Sequence, residues 1–260
     1  MTSERLRQTF DTAAELYDRA RPGYPATLFD DLASLACIGA GCRVLEIGCG
    51  TGQATLPLAR RGSEITCVEL GANMAAVARR NLADYANVHI EVGAFEDWQL
   101  PSEPFDTVLS ATAFHWLDPA TRVAKAAQAL TAGGVLATID THHVAGGTED
   151  FFAAMQDCYE HWDPATPPGL RLQPADTIPF NTSERLEPYF DPPEFRRYEW
   201  NLDYTTQSYL ETLLTYSGHI ALPTEQREGL LACIANLIES RHGGHITKRY
   251  LTELRVARRR

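Results

Sequence analysis

The fold of this chain is decided by residues 43–55, which read Arg-Val-Leu-Glu-Ile-Gly-Cys-Gly-Thr-Gly-Gln-Ala-Thr. Val44, Leu45 and Ile47 form a short apolar run with two β-branched residues, as in a strand that is buried on both faces. Gly48, Gly50 and Gly52 follow at alternate positions, and a helical pattern then runs over residues 53–62. The stretch therefore predicts a strand, a glycine turn and a helix.

A turn of this kind is suited to hold a ligand. Glycines permit positive φ angles and leave no Cβ between the backbone and a ligand, and the start of the following helix offers unpaired N–H groups. Glu69 ends the next predicted strand, roughly 20 residues after the glycines, where an acid can accept both hydroxyls of a ribose. The two features together indicate a nucleotide-like ligand.

The glycine spacing distinguishes between kinds of nucleotide site, because it differs from the dinucleotide fingerprint G-x-G-x-x-G. With Glu46 two residues before the first glycine, the segment resembles the first motif, E/D-x-G-x-G-x-G, of class I methyltransferases that use S-adenosyl-L-methionine (SAM). The resemblance implies SAM as cofactor and S-adenosyl-L-homocysteine (SAH) as product. It implies that Glu46 orients the turn or the SAM amino group, that Glu69 holds the ribose, and that Gly48, Cys49, Gly50 and Gly52 line the cofactor. The alternative is a tight turn without a ligand.

Strands and helices alternate after the glycine motif, with strands at 64–70, 88–92, 105–110 and 135–140 and helices at 72–85 and 119–130. This alternation predicts a parallel sheet with helices on both faces, with ligands beyond the carboxyl ends of its strands. Later patterns predict helices at 149–161, 206–216 and 224–241 and strands at 195–204 and 245–256, with a proline-rich loop at 164–179. The resemblance implies an α/β, Rossmann-like methyltransferase sheet of seven strands, mostly parallel with an antiparallel last strand.

Two segments carry the expected adenine contacts. Ala94, Phe95 and Glu96 follow the third strand and match the adenine turn of the family, although Ala94 replaces its commonest acid. Leu70 and Met74 are expected to flank the ring as apolar walls. The alternative is that Phe95 belongs to the core and that Glu96 is a solvated cap.

The segment after the fourth strand reads Ser-Ala-Thr-Ala-Phe-His-Trp-Leu-Asp from position 110 and resembles the Asn-x-x-x-His-Trp segment of the same family. The resemblance implies that Ala111 and Thr112 line the methionine part of SAM. Substrate contacts are expected from Phe114, His115 and Trp116, with His115 as a base or orienting group. The alternative for His115 is a structural hydrogen bond beside a core tryptophan.

Further histidines and tyrosines are candidates for the substrate side. His142 follows the fifth predicted strand, and His219 with Tyr216 lies between the last two strands, where the family often forms a lid. His142 and His219 are further candidate bases, and Tyr216 is a candidate substrate contact.

The N-terminal segment predicts an amphipathic helix over residues 4–19, a rigid crossing that contains two prolines, and a second helix over 26–38. Its sequence, Tyr-Asp-Arg-Ala-Arg-Pro-Gly-Tyr-Pro from position 17, resembles a lid that precedes the first motif in many small-molecule methyltransferases. The resemblance implies that Tyr17 and Arg21 contact SAM and that Tyr24 contacts SAM or substrate. The alternative is surface packing of amphipathic side chains.

Composition limits the class of partner. The chain has 260 residues, 44% hydrophobic and 22% charged, and a net charge of −11, which disfavours attraction to nucleic-acid backbones. The four arginines at positions 255 and 258–260 lie close together in the sequence and are interpreted as a solvated tail. The sequence predicts a small-molecule acceptor, no nucleic-acid or membrane partner, and a monomer or homodimer.

Six cysteines are scattered without C-x-x-C pairs or histidines at metal-ligand spacing, so no metal site is predicted. Several lie in apolar runs, where a thiol behaves as a small hydrophobe, and this pattern is typical of a reducing compartment. The N-terminus has no apolar signal-peptide core, and no apolar run reaches membrane-spanning length. These features predict a cytoplasmic protein.

The sequence therefore predicts a SAM-dependent methyltransferase that transfers the sulfonium methyl group to an O, N or C atom of a small molecule. One domain is expected over residues 1–260, with a helical lid at 1–40, the SAM-binding core at 41–140 and a substrate-side region at 141–260. Two alternatives remain open at this point: a SAM-binding protein without turnover and an NAD(P)-dependent oxidoreductase.

Overall fold

Seven strands form one sheet in the order β3-β2-β1-β4-β5-β7-β6 in the structure, a computed structural model that describes residues 10–182 and 184–260. The strands are β1 Arg43–Ile47, β2 Glu64–Glu69, β3 Val88–Val92, β4 Phe105–Ala111, β5 Leu130–Gly147, β6 Glu194–Thr205 and β7 His245–Arg258.

Nine α-helices occur among the described residues: α1 Ala14–Ala20, α2 Ala26–Leu35, α3 Thr55–Ala59, α4 Ala72–Asn81, α5 Arg122–Ala129, α6 Glu149–Trp162, α7 Thr206–Leu213, α8 Ser217–Ala221 and α9 Thr224–His242. Short 3₁₀ turns lie at Phe10–Ala13, Phe114–Trp116 and Ala175–Thr177.

Strands β1 to β5 are parallel, and their pairing follows the apolar runs of the sequence. Val44 of β1 lies opposite Ile65 of β2 and Thr107 of β4. Four of the five β1 residues are buried, and β4 is buried over most of its length. Because both faces of β1 and β4 are covered, these two strands lack the polar alternation of a half-exposed strand.

Strand β7 runs antiparallel to β5. Near the start of β5, Gly133 donates to the carbonyl of Arg259, whereas near its end Thr148 donates to the carbonyl of Thr247. In the direction in which residue numbers increase along β5, the residue numbers of the paired β7 residues decrease, so the two strands are antiparallel. Contacts between β6 and β7 run in the same opposite sense, at Arg197–Glu253, Asn201–Arg249 and Asp203–Thr247. The predicted sheet, mostly parallel with an antiparallel last strand, is confirmed.

The chain forms two compact units, and each unit is built from three chain segments. The first comprises residues 1–22, 142–179 and 199–251, and the second comprises residues 23–141, 180–198 and 252–260. These segments differ from the expected divisions at positions 40 and 140. The single-domain assignment stays a prediction.

The core of the second unit covers both faces of its strands. On one face, α2 and α3 pack against alternate strand residues such as Val44 and Leu109. On the other face, α5 packs against Leu45 and Val108. The first unit has its own core, which α6, α7 and α9 form around Tyr204 and Tyr250.

Several predicted elements have different ends. Helix α3 is shorter than the predicted 53–62, because residues 51–54 form turns after the glycine motif. The predicted helix 206–216 ends at Leu213 as α7, and α8 is a separate short helix that was not predicted. Strand β5 continues to Gly147 instead of ending at Asp140. Residues 4–9 of the predicted N-terminal helix lie outside the described residues.

The interpretation of the C-terminal arginines as a solvated tail is wrong. They belong to β7 or directly follow it, and their guanidinium groups bond to protein oxygens. Arg255 is buried and donates to Thr138, and Arg258 donates to the carbonyl of Gly133. Backbone pairing continues through Arg259, whose N–H donates to the carbonyl of Gly134 and whose carbonyl accepts the N–H of Gly133.

The expectation of reduced cysteines is also wrong for four of the six. Cys37 and Cys42 form one disulfide, and Cys158 and Cys233 form another, while Cys49 and Cys67 are free and buried. The spacing of cysteines in a sequence does not fix which pairs approach in the fold.

Within residues 10–182 and 184–260, no helix is long and apolar enough to cross a membrane.

Candidate active site

The glycine turn after β1 requires glycine for two physical reasons. Gly48, Gly50 and Gly52 all have positive φ angles, of 71°, 58° and 93°. In addition, a Cβ on Gly48 would lie 2.6 Å from the Cβ of Ala113, and one on Gly52 would lie 2.9 Å from a methyl carbon of Leu82. The turn is therefore packed closely on its protein side.

The carboxylate of Glu69 holds this turn in place from the end of β2. One oxygen accepts the N–H of Gly50 at 2.9 Å, and the other accepts the N–H of Gly71 at 2.8 Å. Glu69 is 8% exposed, so these charge-assisted bonds are largely shielded from water. Each carboxylate oxygen keeps acceptor capacity for a further donor, such as a ligand hydroxyl.

Glu46, inside β1, is completely buried and incompletely satisfied. Its Oε1 has no hydrogen-bond partner among the described residues, and the Cys67 thiol lies 4.0 Å from its Oε2. Desolvation raises the pKa of Glu46 to about 7, with Glu69 adding charge repulsion and the Thr55 hydroxyl acting in the opposite direction. A buried carboxyl group in this state is suited to receive a cationic donor.

Thr112 marks a strained point at the end of β4. Its φ is +51°, which is unusual for a β-branched residue. Its N–H donates to the carbonyl of Ile139 at 2.7 Å, and its hydroxyl lies 3.1 Å from the hydroxyl of Tyr24. Ala111, just before it, is buried. Strain held in place by such contacts is typical of functional sites.

His115 lies in the 3₁₀ turn after β4, with its side chain 53% exposed and its Nδ1 3.9 Å from a carboxylate oxygen of Asp140. Desolvation lowers the pKa of His115, and Arg122 lowers it further, against the opposing effect of Asp140. The imidazole is therefore neutral at neutral pH, which is the form that accepts a proton.

Arg122 fixes the turn that carries His115. Its Nη1 donates to the carbonyls of Phe114 and Leu117, each at 3.2 Å, and its Nη2 lies 2.5 Å from Glu184. Neither Asp140 nor Arg122 was among the residues predicted from the sequence. Asp140 could have been found as an acid at the carboxyl end of the predicted strand 135–140. Arg122 carried no such signal.

The predicted adenine turn is held together by protein contacts. The Phe95 ring is 2% exposed and lies in the core, with the Nζ of Lys125 at 5.2 Å from its centroid. Glu96 accepts the N–H of Asp118 at 3.2 Å. Met74 is buried, and Leu70 and Ala94 are half-buried. The adenine contacts of these residues stay predictions.

Three other candidates lie near the same strand ends. Cys49 is buried in the glycine turn, 3.7 Å from the carbonyl of Gly50. Phe114 is buried in the core, and the Trp116 ring lies 5.0 Å from that of His115. Their predicted contacts with cofactor or substrate stay predictions.

The first unit brings the remaining candidates together. The Arg21 guanidinium lies 4.4 Å from the Tyr216 ring centroid and 5.3 Å from that of Tyr17. The ring of His219 lies 5.8 Å from Tyr216, and its Nε2 lies 2.8 Å from the Tyr159 hydroxyl. Desolvation lowers the pKa of His219 to about 4.

His142 lies in the same unit, and its buried Nε2 has no hydrogen-bond partner within the described part of the chain. The catalytic roles of His142 and His219 stay predictions. Over residues 10–182 and 184–260, no group of three or more His, Cys, Asp or Glu side chains could hold a metal ion.

Solved structures share this fold. A protein described as a type II methyltransferase from Anaeromyxobacter dehalogenans is 24% identical, with a TM-score of 0.65 over 92% of this chain and 97% of that one. Phosphoethanolamine N-methyltransferase 2 of Haemonchus contortus, in complex with phosphomonomethylethanolamine and SAH, is 18% identical, with a TM-score of 0.51 over 94% of this chain and 57% of that one. These likenesses show the fold.

The sequence comparisons show the family. Residues 44–134 match the family model described as a methyltransferase domain. An uncharacterised methyltransferase of Mycobacterium tuberculosis is 34% identical over 50% of this chain and 51% of its own length, so the chain spans about half the length of that curated relative. One of Staphylococcus carnosus is 30% identical over 49% of this chain and 67% of its own length. The chain belongs to the methyltransferase family.

Proposed function

We propose that this chain is a class I SAM-dependent methyltransferase that acts on a small molecule, at an O, N or C atom. The observation that carries the proposal is the buried, incompletely satisfied carboxyl group of Glu46 directly before the glycine turn. A buried acid in this state is costly unless a ligand completes its bonding. The α-ammonium group of SAM has the charge that it requires.

Residues at the ends of the neighbouring strands are assigned to the other parts of the cofactor. Glu69 is proposed to accept the ribose hydroxyls while it keeps its bonds to Gly50 and Gly71. Leu70, Met74, Ala94, Phe95 and Glu96 are assigned to the adenine, and Cys49, Ala111 and Thr112 to the methionine part. Tyr17 and Arg21 are further candidates, from the resemblance alone.

Bound SAM supplies a methyl group that is already activated on a sulfonium centre. The protein therefore has to orient the acceptor and exclude water. An amine acceptor requires no strong base, whereas a hydroxyl or carbon acid does. His115 is proposed as that base, because its lowered pKa keeps it neutral at neutral pH and Asp140 lies beside its Nδ1. Full turnover by His115→Ala with normal SAH affinity would exclude this role.

A small-molecule acceptor is supported by the charge of the chain and by one neighbour. The net charge of −11 opposes binding to nucleic-acid phosphates. The Haemonchus contortus enzyme with the same fold was solved with a small phosphorylated amine and SAH. These observations support the class of acceptor, and the oligomeric state expected from the sequence remains part of the proposal. The cytoplasmic location is proposed from the sequence alone, because disulfides are typical of oxidising compartments and the two disulfides do not support it.

Calorimetric titration with SAM, SAH and NAD tests the cofactor. We expect binding of SAM and SAH and no heat from NAD. Binding of NAD alone would instead favour the oxidoreductase, and the absence of any binding would contradict the proposal. Binding of SAM without methyl transfer to any acceptor in a broad screen would favour the SAM-binding protein.

A matched pair of glycine variants tests the location of the site. Gly48→Ala introduces a Cβ that meets Ala113, whereas Gly133→Ala places a Cβ at a similar φ, 74°, with no atom within 4 Å. The two variants therefore have similar backbone strain at the substituted residue, but only Gly48→Ala crowds the glycine turn. We expect Gly48→Ala to weaken SAH binding by roughly tenfold or more and Gly133→Ala to leave it unchanged. Equal affinities for SAH in the two variants would contradict the assignment of the turn.

A further inference from the structure

Lys248, in β7, is a buried cation without an acidic partner. It is 4% exposed, and no carboxylate pairs with it among the residues that the structure describes. Its Nζ lies 4.3 Å from the ring centroid of Phe152 and 5.6 Å from that of Tyr250. Desolvation lowers the pKa of Lys248 to about 8. Burial of a lysine without a counter-ion is rare because it costs free energy.

His143 lies at the centre of a group of positively charged or ionisable side chains that includes Lys248. Desolvation lowers the pKa of His143 to about 3, and Lys248, Arg21, His142 and His219 all lower it further by repulsion. The five side chains are therefore electrostatic neighbours in the first unit. We call them the basic cluster.

The basic cluster has both accessible surface and unsatisfied polar atoms. His143 is exposed to solvent, although the surrounding protein desolvates its ring enough to lower its pKa. Two buried nitrogens, Nε2 of His142 and Nδ1 of His219, have no hydrogen-bond partner within the described ranges. Buried polar atoms of this kind are usually satisfied by protein, water or a ligand.

Aromatic rings surround the basic cluster. His143 lies 5.5 Å from the ring centroid of Tyr216 and 5.6 Å from that of Tyr250. Trp200 stacks on Tyr250 at 5.0 Å, and Arg21 lies over Tyr216. A ligand at this place would therefore meet cationic groups and flat apolar surfaces together.

The overall charge makes this concentration of basic groups unusual. The chain carries 34 acidic and 23 basic residues. Asp163, which acts on His219, is the only acid among the charged groups that set the pKa values of Lys248, His143 and His219. A locally positive region in an acidic protein attracts anions.

We infer that the basic cluster is a binding site for an organic anion, with Lys248 as the counter-ion for its carboxylate or phosphate group and the aromatic rings as walls for an apolar or aromatic body. The inference concerns binding alone and does not depend on methyl transfer. An anion would supply the negative charge that Lys248 lacks and acceptors for the histidine N–H groups.

Four probes of similar size test the ligand class by calorimetry on the unmodified protein. Benzoate and phenyl phosphate carry the two anionic groups, benzyl alcohol is neutral, and benzylamine is a cation. We expect at least one anion to bind and the other two probes to bind roughly tenfold more weakly or not at all. The ratio of the two anion affinities identifies the preferred head group. Failure of both anions to bind, or equal binding of benzyl alcohol, would overturn the inference.

Two variants of β7 test the location. Lys248→Met removes the buried cation, and Arg249→Met removes a cation from the next residue, whose side chain points to the opposite face of the strand and contacts Asn201 and Glu199. We expect Lys248→Met to weaken anion binding roughly tenfold or more and Arg249→Met to leave it unchanged. Equal losses would contradict the location.

SAH titration of both variants separates this inference from the proposed function. Normal SAH binding with lost anion binding in Lys248→Met supports the anion site. Should Lys248→Met fail to fold, which thermal unfolding reports, the four probes on the unmodified protein still decide the inference. Anion binding to a protein that does not bind SAH would support the inference and contradict the proposed function.

Discussion

Glu69 joins the glycine turn to the start of α4 through two short hydrogen bonds to backbone N–H groups. Both bonds are charge-assisted and largely buried, so the carboxylate is held in one position before any ligand arrives. A preorganised acceptor binds hydroxyl groups at a lower cost in conformational entropy than a mobile one.

Replacement of Glu69 by alanine should weaken SAM binding by about 1–3 kcal/mol, the range for hydrogen bonds to a charged group. Calorimetry measures the effect. Glu64→Ala is the matched control, because Glu64 is an exposed acid at the other end of the same strand. Unchanged SAM affinity in Glu69→Ala would contradict the ribose assignment.

Individual site residues could be predicted where a local pattern specifies them. The glycine spacing and the acids at positions 46 and 69 are such patterns, because a strand, a turn and a helix place them with few alternatives. The missing partner of Glu46 and the approach of Asp140 to His115 could not be predicted, because they depend on packing between residues far apart in sequence.

At the scale of an element, the 3₁₀ turn Phe114–Trp116 depends on one side chain of α5. Arg122 bonds two carbonyls that flank the turn and pairs with Glu184, and both charged side chains are at least 85% buried. The turn carries His115, so its position is set by an ion pair that does not itself contact a ligand in the proposal.

Replacement of Arg122 by methionine should reduce the free energy of unfolding by about 2–4 kcal/mol, because it leaves a buried carboxylate and two carbonyls unpaired. Denaturant unfolding measures this loss. Arg260→Met, in an exposed pair with Asp191, should change the free energy by less than about 1 kcal/mol. A similar effect of the two substitutions would contradict the structural role of Arg122.

The type of most elements, helix or strand, was predicted correctly, whereas the residues at which they begin and end were predicted less well. Strands β1, β2 and β4 coincide closely with their apolar runs, because burial on both faces leaves a clear pattern in the sequence. Strand β5 runs seven residues beyond Asp140 because it pairs with β7, a partner that the local sequence does not reveal.

At the scale of the whole molecule, two disulfides constrain the chain. Cys158–Cys233 joins residues 75 positions apart within the first unit, and Cys37–Cys42 closes a short loop within the second. The sequence alone gave no basis for pairing these cysteines, because the spacing of cysteines does not fix their connectivity.

The longer loop should contribute more stability. Loop-closure entropy gives about 4 kcal/mol for Cys158–Cys233 and about 2 kcal/mol for Cys37–Cys42. Denaturant unfolding of the variants Cys158→Ser/Cys233→Ser and Cys37→Ser/Cys42→Ser measures both losses.

In the denatured, unreduced protein, a thiol titration should find two free thiols, Cys49 and Cys67. Six free thiols would contradict both disulfides.

The overall topology could be predicted because alternating strands and helices allow few arrangements of a parallel sheet, and the resemblance supplied the reversed last strand. The division into two units was not predicted. Each unit combines three segments that are separated in the sequence, and local patterns do not report such long-range assembly.

The proton balance of SAM binding at pH 6.5 tests the central claim most directly. Burial raises the pKa of Glu46 to about 7, so most of the free protein is protonated there at pH 6.5. A bound ammonium group favours the carboxylate and lowers this pKa, so binding should release roughly half a proton or more per site. Calorimetry in buffers of different ionisation enthalpy counts the proton, and Glu46→Gln should abolish its release. Binding without proton release, or equal release by Glu46→Gln, would contradict the assignment of Glu46 to the SAM ammonium group.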